Sequence, residues 1–225
     1  LVLLGSLIGT TLATWAPQLS AQARHSRGVR FDHRGHGESW MPSRPWSIAD
    51  LGTDVEALLD ELGVTRASYV GLSLGGMVGM WLAAHRPERI DNLTLICTSA
   101  YLDAADAWRA RAATVRADGM RPIVDRVVER WFTPEFAARR PDVVSYFKAM
   151  LAAAPAEGYA RCCEALVELD LRHELAKITA PTVVVAGADD LAIPWSHGQA
   201  IADAIPGARF VVVRDAAHLA SVEQP

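Results

Sequence analysis

The sequence of 225 residues predicts an α/β fold, a mostly parallel, doubly wound sheet with an inserted helical cap. Short apolar runs rich in Val, Leu and Ile alternate with helical patterns, and one long helical stretch interrupts this alternation. Because the apolar runs lack strict alternation of polar residues, they indicate strands that are buried on both faces, as in a parallel sheet. Strands and helices in turn along the chain predict right-handed crossovers with helices on both faces of that sheet.

The predicted elements follow from these patterns. Six segments are predicted as strands: Leu1–Leu4, Gly28–Phe31, Ala67–Val70, Leu93–Ile96, Thr182–Ala186 and Arg209–Val213. Helices are predicted for Ile48–Leu62, Leu74–Ala84 and Trp195–Ala204. Ser47 is suited to cap the first of these helices, and Gly63 follows its last apolar residue.

Residues 101–178 do not follow this alternation of strands and helices. Helical patterns interrupted by Pro and Gly fill the segment, and no strand is predicted within it. A helical insertion between two strands is expected to cover one end of the sheet, where lids and loops carry specificity. We therefore predict a core of residues 1–100 and 179–225 and a cap of residues 101–178.

The charge balance and the cysteines indicate which partners and which cellular compartment to expect. The 22 basic and 26 acidic residues are interspersed and leave a net charge of −4, so nothing favours nucleic acid or an anionic membrane as partner. Cys97, Cys162 and Cys163 lack metal-type spacing and indicate free thiols in a reducing, cytoplasmic compartment. The apolar run of residues 1–13 has no preceding basic region and no cleavage pattern, so a strand is predicted there rather than a signal peptide.

The strongest motif is Gly71-Leu72-Ser73-Leu74-Gly75-Gly76. It follows a predicted strand and opens a predicted helix, which is the strand–turn–helix context of a Gly-x-Ser-x-Gly nucleophile elbow. The glycines permit a turn that is too tight for Cβ atoms near the serine. A glycine-rich turn without chemistry is the alternative, and the context favours Ser73 as a nucleophile.

A serine hydroxyl is a weak nucleophile at neutral pH, so it needs a base and a group that orients the base. In the α/β-hydrolase fold these residues follow later strands in the order Ser, Asp or Glu, His. Asp189 and Asp190 follow the predicted strand Thr182–Ala186, and His218 follows the last predicted strand. The carboxyl ends of parallel strands share one edge, where ligands bind. His218 is the predicted base, and either aspartate could orient it.

Two further features complete the predicted site. The oxyanion hole is expected to use the backbone N–H of Leu74 and one from the loop after the first strand, with Leu7 preferred and Ser6 as the fallback. His33 and His36 are spaced i, i+3 in a glycine-containing turn, but no further ligand cluster accompanies them. We interpret this turn as a structural corner and predict no metal and no cofactor.

Several tracts resemble bacterial 3-oxoadipate enol-lactonases over nearly the whole chain. They are Leu3–Leu7, Trp15–Leu19, Arg30–Gly37, Gly71–Gly79, Thr98–Ala100, Arg130–Phe132, Asp170–Arg172, Ala186–Asp190 and His218–Glu223. The resemblance implies a Ser73–His218–Asp190 triad, with Asp190 preferred over Asp189. It also implies that the substrate is a small anionic enol-lactone of aromatic-compound catabolism, which is opened to 3-oxoadipate in the β-ketoadipate pathway.

The substrate carboxylate requires a cation or amide donors at the far end of the pocket. Arg34 and Trp131 are the candidates for that wall, although plain packing in the cap is an equal reading for Trp131. Some relatives are fused to a decarboxylase domain, and the sequence leaves open such a fusion and a homo-oligomer. A general carboxylesterase or perhydrolase with the same triad, or a non-catalytic small-molecule receptor, are the alternative functions.

Overall fold

The computed structural model describes all residues, Leu1–Pro225, and confirms the predicted α/β class. Six strands form one sheet in the order β2-β1-β3-β4-β5-β6, and every neighbouring pair is parallel. The strands are β1 (Val2–Gly5), β2 (Gly28–Phe31), β3 (Ala67–Leu72), β4 (Ile90–Ile96), β5 (Thr182–Gly187) and β6 (Arg209–Val213). Each predicted strand is present, and β4 begins three residues before the predicted Leu93, at Ile90.

Helices connect and cover the strands. They are α1 (Leu19–Gln22), α2 (Ile48–Glu61), α3 (Leu74–His85), α4 (Ala105–Asp118), α5 (Arg121–Val128), α6 (Pro134–Arg139), α7 (Pro141–Ala152), α8 (Ala156–Val167), α9 (Trp195–Ala204) and α10 (Ala220–Glu223). The predicted cap of α2 is present as a capping box, because the Ser47 hydroxyl accepts the Asp50 N–H while the Asp50 carboxylate accepts the Ser47 N–H. All ten helices are too short or too polar to cross a lipid bilayer.

Burial differs between the middle and the edges of the sheet. Inner strands such as β1 and β3 are mostly buried, whereas β6 exposes about 40% of both Val211 and Val212. An edge strand has a neighbour on one side only, so its apolar sequence does not guarantee burial on both faces. The prediction of strands buried on both faces therefore applies to the inner strands and is wrong for both edge strands, β6 and β2, neither of which has a fully buried residue.

The strand order changes direction between β1 and β3. The chain passes from β1 outward to β2 and then returns to β3 on the opposite side, so β1 and β3 are neighbours with Gly5 beside Gly71. In open α/β sheets, ligands bind in the crevice outside the carboxyl ends of the strands at such a switch point. The loop after β1 and the turn after β3 both border this crevice.

The helices α4 to α8 lie between β4 and β5 in the chain. Helix α4 packs along α8, and the Arg116 guanidinium joins them by binding the carboxylates of Glu157 and Glu164. An isolated antiparallel bridge between Tyr101 and Asp170 closes the ends of this segment. The sequence pattern did not predict the bridge, because one residue on each side carries no periodicity.

Candidate active site

Ser73 stands at the turn between β3 and α3. Its backbone adopts φ 53° and ψ −111°, a left-handed conformation that is rare for a residue with a side chain and costs about 1–3 kcal/mol. The surrounding structure maintains this strain: the Ser73 N–H donates to the Ile96 carbonyl at 2.9 Å. A Cβ atom at Gly71 would overlap the backbone of Gly75, and one at Gly75 would overlap the backbone of Gly5. The predicted elbow therefore forms only because glycine occupies both positions.

His218 and Asp190 lie after β6 and β5 respectively, as the order of elements predicts. The His218 Nδ1 is 2.7 Å from the Asp190 Oδ2, and both side chains are almost fully buried. The other oxygen, Oδ1, accepts the N–H groups of Ala192 and Ile193 at 2.8 Å each, which holds the carboxylate in one orientation. An ionised carboxylate can only accept, so Nδ1 carries the proton and Nε2 is left as the basic nitrogen.

Asp189 differs from Asp190 in its exposure and in its hydrogen-bond partners. It is exposed, and its N–H donates to the Ala216 carbonyl at 2.9 Å, whereas its carboxylate has no contact with His218. The alternatives that the residues left open are therefore separated by geometry, and the structure brings Asp190 to the histidine.

Ser73 and His218 both lie in the wall of one cavity. Its sixteen lining residues include twelve hydrophobic ones, and they are Leu7, Ile8, Ser73, Leu74, Met77, Leu102, Trp108, Arg111, Val127, Arg130, Trp131, Tyr159, Leu166, Ala192, Ile193 and His218. A mostly apolar cavity with a few convergent polar groups is typical of a small-molecule site. The predicted Leu7, Leu74 and Trp131 line it.

The structure corrects the prediction for Arg34. Its guanidinium forms a two-point ion pair with Asp54, with both N–O distances 2.6 Å, and lies 5.9 Å from the ring centre of Trp46. The hydrogen bonds to Asp54 raise the pKa of Arg34. Arg34 does not line the cavity, and its charge is neutralised by a partner from α2. It is therefore not available to bind a substrate there.

Two other arginines, which the sequence analysis missed, line the cavity instead. Arg111 stacks on Trp108 with its guanidinium carbon 4.5 Å from the ring centre, and Arg130 donates through Nε to the Leu191 carbonyl at 3.1 Å. Neither guanidinium has a carboxylate within ion-pair distance, and burial together with the nearby Arg111 lowers the pKa of Arg130. Because arginine remains charged at neutral pH, these two cations favour an anionic ligand.

Comparisons with known proteins agree with this geometry. The alpha/beta hydrolase fold family matches residues 1–225. The 3-oxoadipate enol-lactonase 2 of Acinetobacter baylyi is 42% identical over 97% of this chain and 81% of its own length. The chain belongs to the 3-oxoadipate enol-lactonase family of α/β hydrolases. It is therefore an enzyme of the hydrolase class.

Solved structures place the same fold in two kinds of hydrolase. The enol-lactonase from Burkholderia xenovorans LB400 superimposes with a TM-score of 0.96 at 39% identity, covering 99% of this chain and 85% of the other. A thermophilic esterase from Thermogutta terrifontis superimposes with a TM-score of 0.95 at 30% identity, covering 100% and 84%. The same fold accordingly occurs in an enol-lactonase and in an esterase.

In this α/β hydrolase, the candidate backbone N–H donors of the oxyanion hole lie in the loop after β1 and at the start of α3. Leu74 is the first residue of α3, so its N–H has no acceptor within the helix, and Leu7 lines the same cavity. The Ser6 carbonyl accepts the Gly75 N–H at 3.0 Å, which joins the loop to the elbow, and Ser6 does not line the cavity. Of the two residues that the sequence analysis considered, Leu7 has the better placement.

The loop is held from behind by the two histidines of the turn after β2. The His33 Nε2 lies 3.1 Å from the Ser6 carbonyl, and the His36 Nε2 accepts the Gly9 N–H at 3.0 Å. Burial lowers the pKa of His33 to about 3 and that of His36 to about 4, so both rings are neutral at neutral pH. The corner thus supports the loop that carries Leu7. The contacts join positions 27 residues apart, so no local pattern could have indicated them.

The neutral histidines lead to a pH prediction. Below pH 6.5, His33 and His36 bind protons in the unfolded chain but stay neutral in the folded chain. The free energy of unfolding should therefore fall as the pH is lowered from about 6.5 to about 4. Each histidine contributes a slope of up to about 1.4 kcal/mol per pH unit. Urea denaturation at pH 7, 6 and 5 measures it. His36→Gln should reduce the slope, whereas His25→Gln, at an exposed position, should not; equal slopes in all three proteins would contradict the prediction.

Other reactive side chains have no such arrangement. Cys97, Cys162 and Cys163 are buried and free, and burial raises the pKa of Cys162 to about 12 and that of the other two thiols as well. A protonated, buried thiol is a poor nucleophile. No group of three or more His, Cys, Asp or Glu side chains is arranged to bind a metal ion.

Proposed function

We propose that this α/β hydrolase opens the lactone ring of 3-oxoadipate enol-lactone to 3-oxoadipate, in the β-ketoadipate pathway of aromatic-compound catabolism. One observation carries the proposal: Ser73 and His218 share a small apolar cavity with two guanidinium groups that lack carboxylate partners. A small ester that carries a carboxylate matches this combination. The name of the 42% identical relative from Acinetobacter baylyi supports the lactone as that ester.

Ser73, His218 and Asp190 are the proposed triad. The Ser73 Oγ attacks the lactone carbonyl carbon while the His218 Nε2 takes the hydroxyl proton. The negative oxygen of the tetrahedral intermediate is stabilised by the N–H groups of Leu7 and Leu74. Asp190, bound to Nδ1 at 2.7 Å, stabilises the imidazolium that forms.

The ring then opens at the bond between the acyl carbon and the enol oxygen. The His218 imidazolium returns its proton to the leaving enol, which remains part of the acyl group on Ser73 and tautomerises to the ketone. A water molecule, deprotonated by His218, attacks the acyl-enzyme and releases the dicarboxylate product with Ser73 regenerated. The triad performs both halves of the reaction without any other reactive group.

The substrate carboxylate is proposed to bind Arg111 and Arg130, with Trp131 forming the adjacent apolar wall. Arg130→Gln should raise the KM for the anionic lactone about 10–100-fold, the effect expected from losing a hydrogen bond to a charged group. The KM for a neutral aryl ester should change little, because that substrate has no carboxylate. Steady-state kinetics on both substrates measure the difference.

Arg126→Gln is the matched control for that prediction. Arg126 lies on α5, is exposed and contributes to the electrostatic environment of Arg130, but it does not line the cavity. Equal rises in KM for both variants would indicate a general effect of net charge. Equal rises for the lactone and the neutral ester in Arg130→Gln would show that the residue shapes the cavity rather than binds the carboxylate.

Loss of enol-lactone absorbance with the wild-type enzyme tests the proposed reaction, with a simple aryl ester as the second substrate. Turnover of the lactone well above that of the ester supports the proposal. Efficient ester cleavage without lactone cleavage would favour a carboxylesterase, in line with the 30% identical Thermogutta terrifontis esterase. Covalent labelling of Ser73 without multiple turnovers on either substrate would favour a small-molecule receptor.

The proposed site of action is the cytoplasm. The three cysteines are free in the structure, although two of them, Cys162 and Cys163, are adjacent on α8. Free thiols of this kind are typical of reducing compartments.

A further inference from the structure

Glu223 is a buried carboxylate that the proposed mechanism does not use. It lies on α10, five positions after His218, and only 7% of its surface is exposed. No Lys, Arg or His lies within ion-pair distance of it. Burying a charge without a cation is unfavourable unless hydrogen bonds replace those lost to water. The hydrogen-bond donors around Glu223 must therefore compensate for its lost hydration.

Those donors come from two separate parts of the chain. The Glu223 Oε1 accepts both the N–H and the hydroxyl of Thr133 at 2.8 Å each, and Oε2 accepts the N–H of Ala217 at 2.5 Å. Ala217 immediately precedes His218, whereas Thr133 is the N-cap residue of α6 in the segment between β4 and β5. One carboxylate therefore joins the histidine loop to the segment that ends at Thr133.

A second contact strengthens the same connection. The Leu219 N–H donates to the Trp131 carbonyl at 2.9 Å, so Leu219 binds the segment Trp131–Thr133 directly, whereas Ala217 is linked to it through Glu223. Trp131 and His218 line the same cavity. The Thr133 hydroxyl also accepts the Phe136 N–H at 3.2 Å, which fixes the start of α6 relative to the carboxylate.

We propose that Glu223 is a positioning residue that holds the His218 imidazole and the Trp131 wall of the cavity in one fixed relation. The proposal rests on the proposed function for the roles of His218 and Trp131. Two oxygens of a single planar group serve the two segments, so neither segment can shift without losing a charge-assisted hydrogen bond. A displacement of about 1 Å between base and substrate costs on the order of 10²-fold in rate.

Glu223→Gln breaks one of the two connections, to Ala217 or to Thr133, and keeps the size and shape of the side chain. An amide has one acceptor oxygen, so its NH₂ must face the donors of either Ala217 or Thr133, and one connection is lost. Thr133→Val removes the hydroxyl, and with it both the donor to Glu223 and the acceptor for the Phe136 N–H, whereas Thr133→Ser keeps both. Glu135→Gln is the matched control, since Glu135 is an exposed carboxylate on the first turn of α6 that makes no contact with the histidine loop.

The experiment measures four quantities, and the three kinetic ones are measured at a temperature well below the Tm of every variant. They are the rate at which a fluorophosphonate labels Ser73, the kcat and KM for an aryl ester, and the Tm itself. Glu223→Gln should slow labelling and kcat by about 10–100-fold and also raise KM, because both base and wall shift. Thr133→Val should show a smaller loss that Thr133→Ser recovers, and Glu135→Gln should match the wild type.

Labelling and kinetics that are unchanged in Glu223→Gln and Thr133→Val, with only a lower Tm, would overturn the proposal and leave a purely structural role. Labelling of Ser73 requires no lactone, so this test is independent of the named substrate. Wild-type protein that is labelled but does not cleave the lactone would contradict the proposed function alone. Wild-type protein whose Ser73 is not labelled would contradict both.

Discussion

Replacement of Ser73 by alanine is expected to lower kcat by about 10⁶-fold on every ester or lactone substrate, as removal of a nucleophilic serine does elsewhere. A methyl group cannot form the acyl-enzyme, and the residual rate would come from water attacking a substrate that the oxyanion donors still polarise. The strained backbone at Ser73 is set by its neighbours, so the variant should fold. Progress curves and intact mass after fluorophosphonate treatment measure the loss of turnover and of labelling together.

Ser68→Ala is the control for this prediction. Ser68 lies on the same strand, β3, and its hydroxyl accepts a hydrogen bond from Asn92 at 3.2 Å, far from the cavity. It should retain wild-type turnover and labelling. Activity that survives in Ser73→Ala would overturn the mechanism, because Ser73 is the only nucleophile that the proposed mechanism uses.

Asp190→Asn carries the second largest expected effect, a fall in kcat of about 10⁴-fold. The N–H groups of Ala192 and Ile193 bind the Oδ1 position, so the amide oxygen of an asparagine must occupy it and the NH₂ must face His218. That arrangement makes Nδ1 an acceptor and places the ring proton on Nε2. The imidazole then presents a proton to Ser73 where the reaction needs a base.

The adjacent Asp189 offers a control that differs by one position. It is exposed and its carboxylate makes no hydrogen bond to the histidine, so Asp189→Asn should leave kcat close to that of the wild type. Steady-state kcat values for the two variants measure the contrast. A large loss in Asp189→Asn with a small loss in Asp190→Asn would reverse the assignment of the orienting residue.

Much of the fold was predictable because strands and turns are specified locally. The apolar run before Gly71 and the helical pattern after Ser73 both lie within a few positions of the elbow. One short stretch of sequence therefore predicts both the motif and the strand and helix that flank it. The identity of β6 as an edge strand was not, since its apolar sequence resembles that of a buried strand. Strand order depends on how the whole chain is connected, and no window of the sequence contains that information.

The sequence by itself determined the α/β class, the elbow at Ser73, and the chain order that places Asp190 and His218 after later strands. The tertiary structure alone decided which charges face the cavity: Arg34 pairs with Asp54, whereas Arg111 and Arg130 remain without carboxylate partners. It also decided that Glu223 contacts Thr133, 90 positions away. Periodicity and turn chemistry act over a few residues, but the partner of a charged side chain depends on which distant segments the chain folds together.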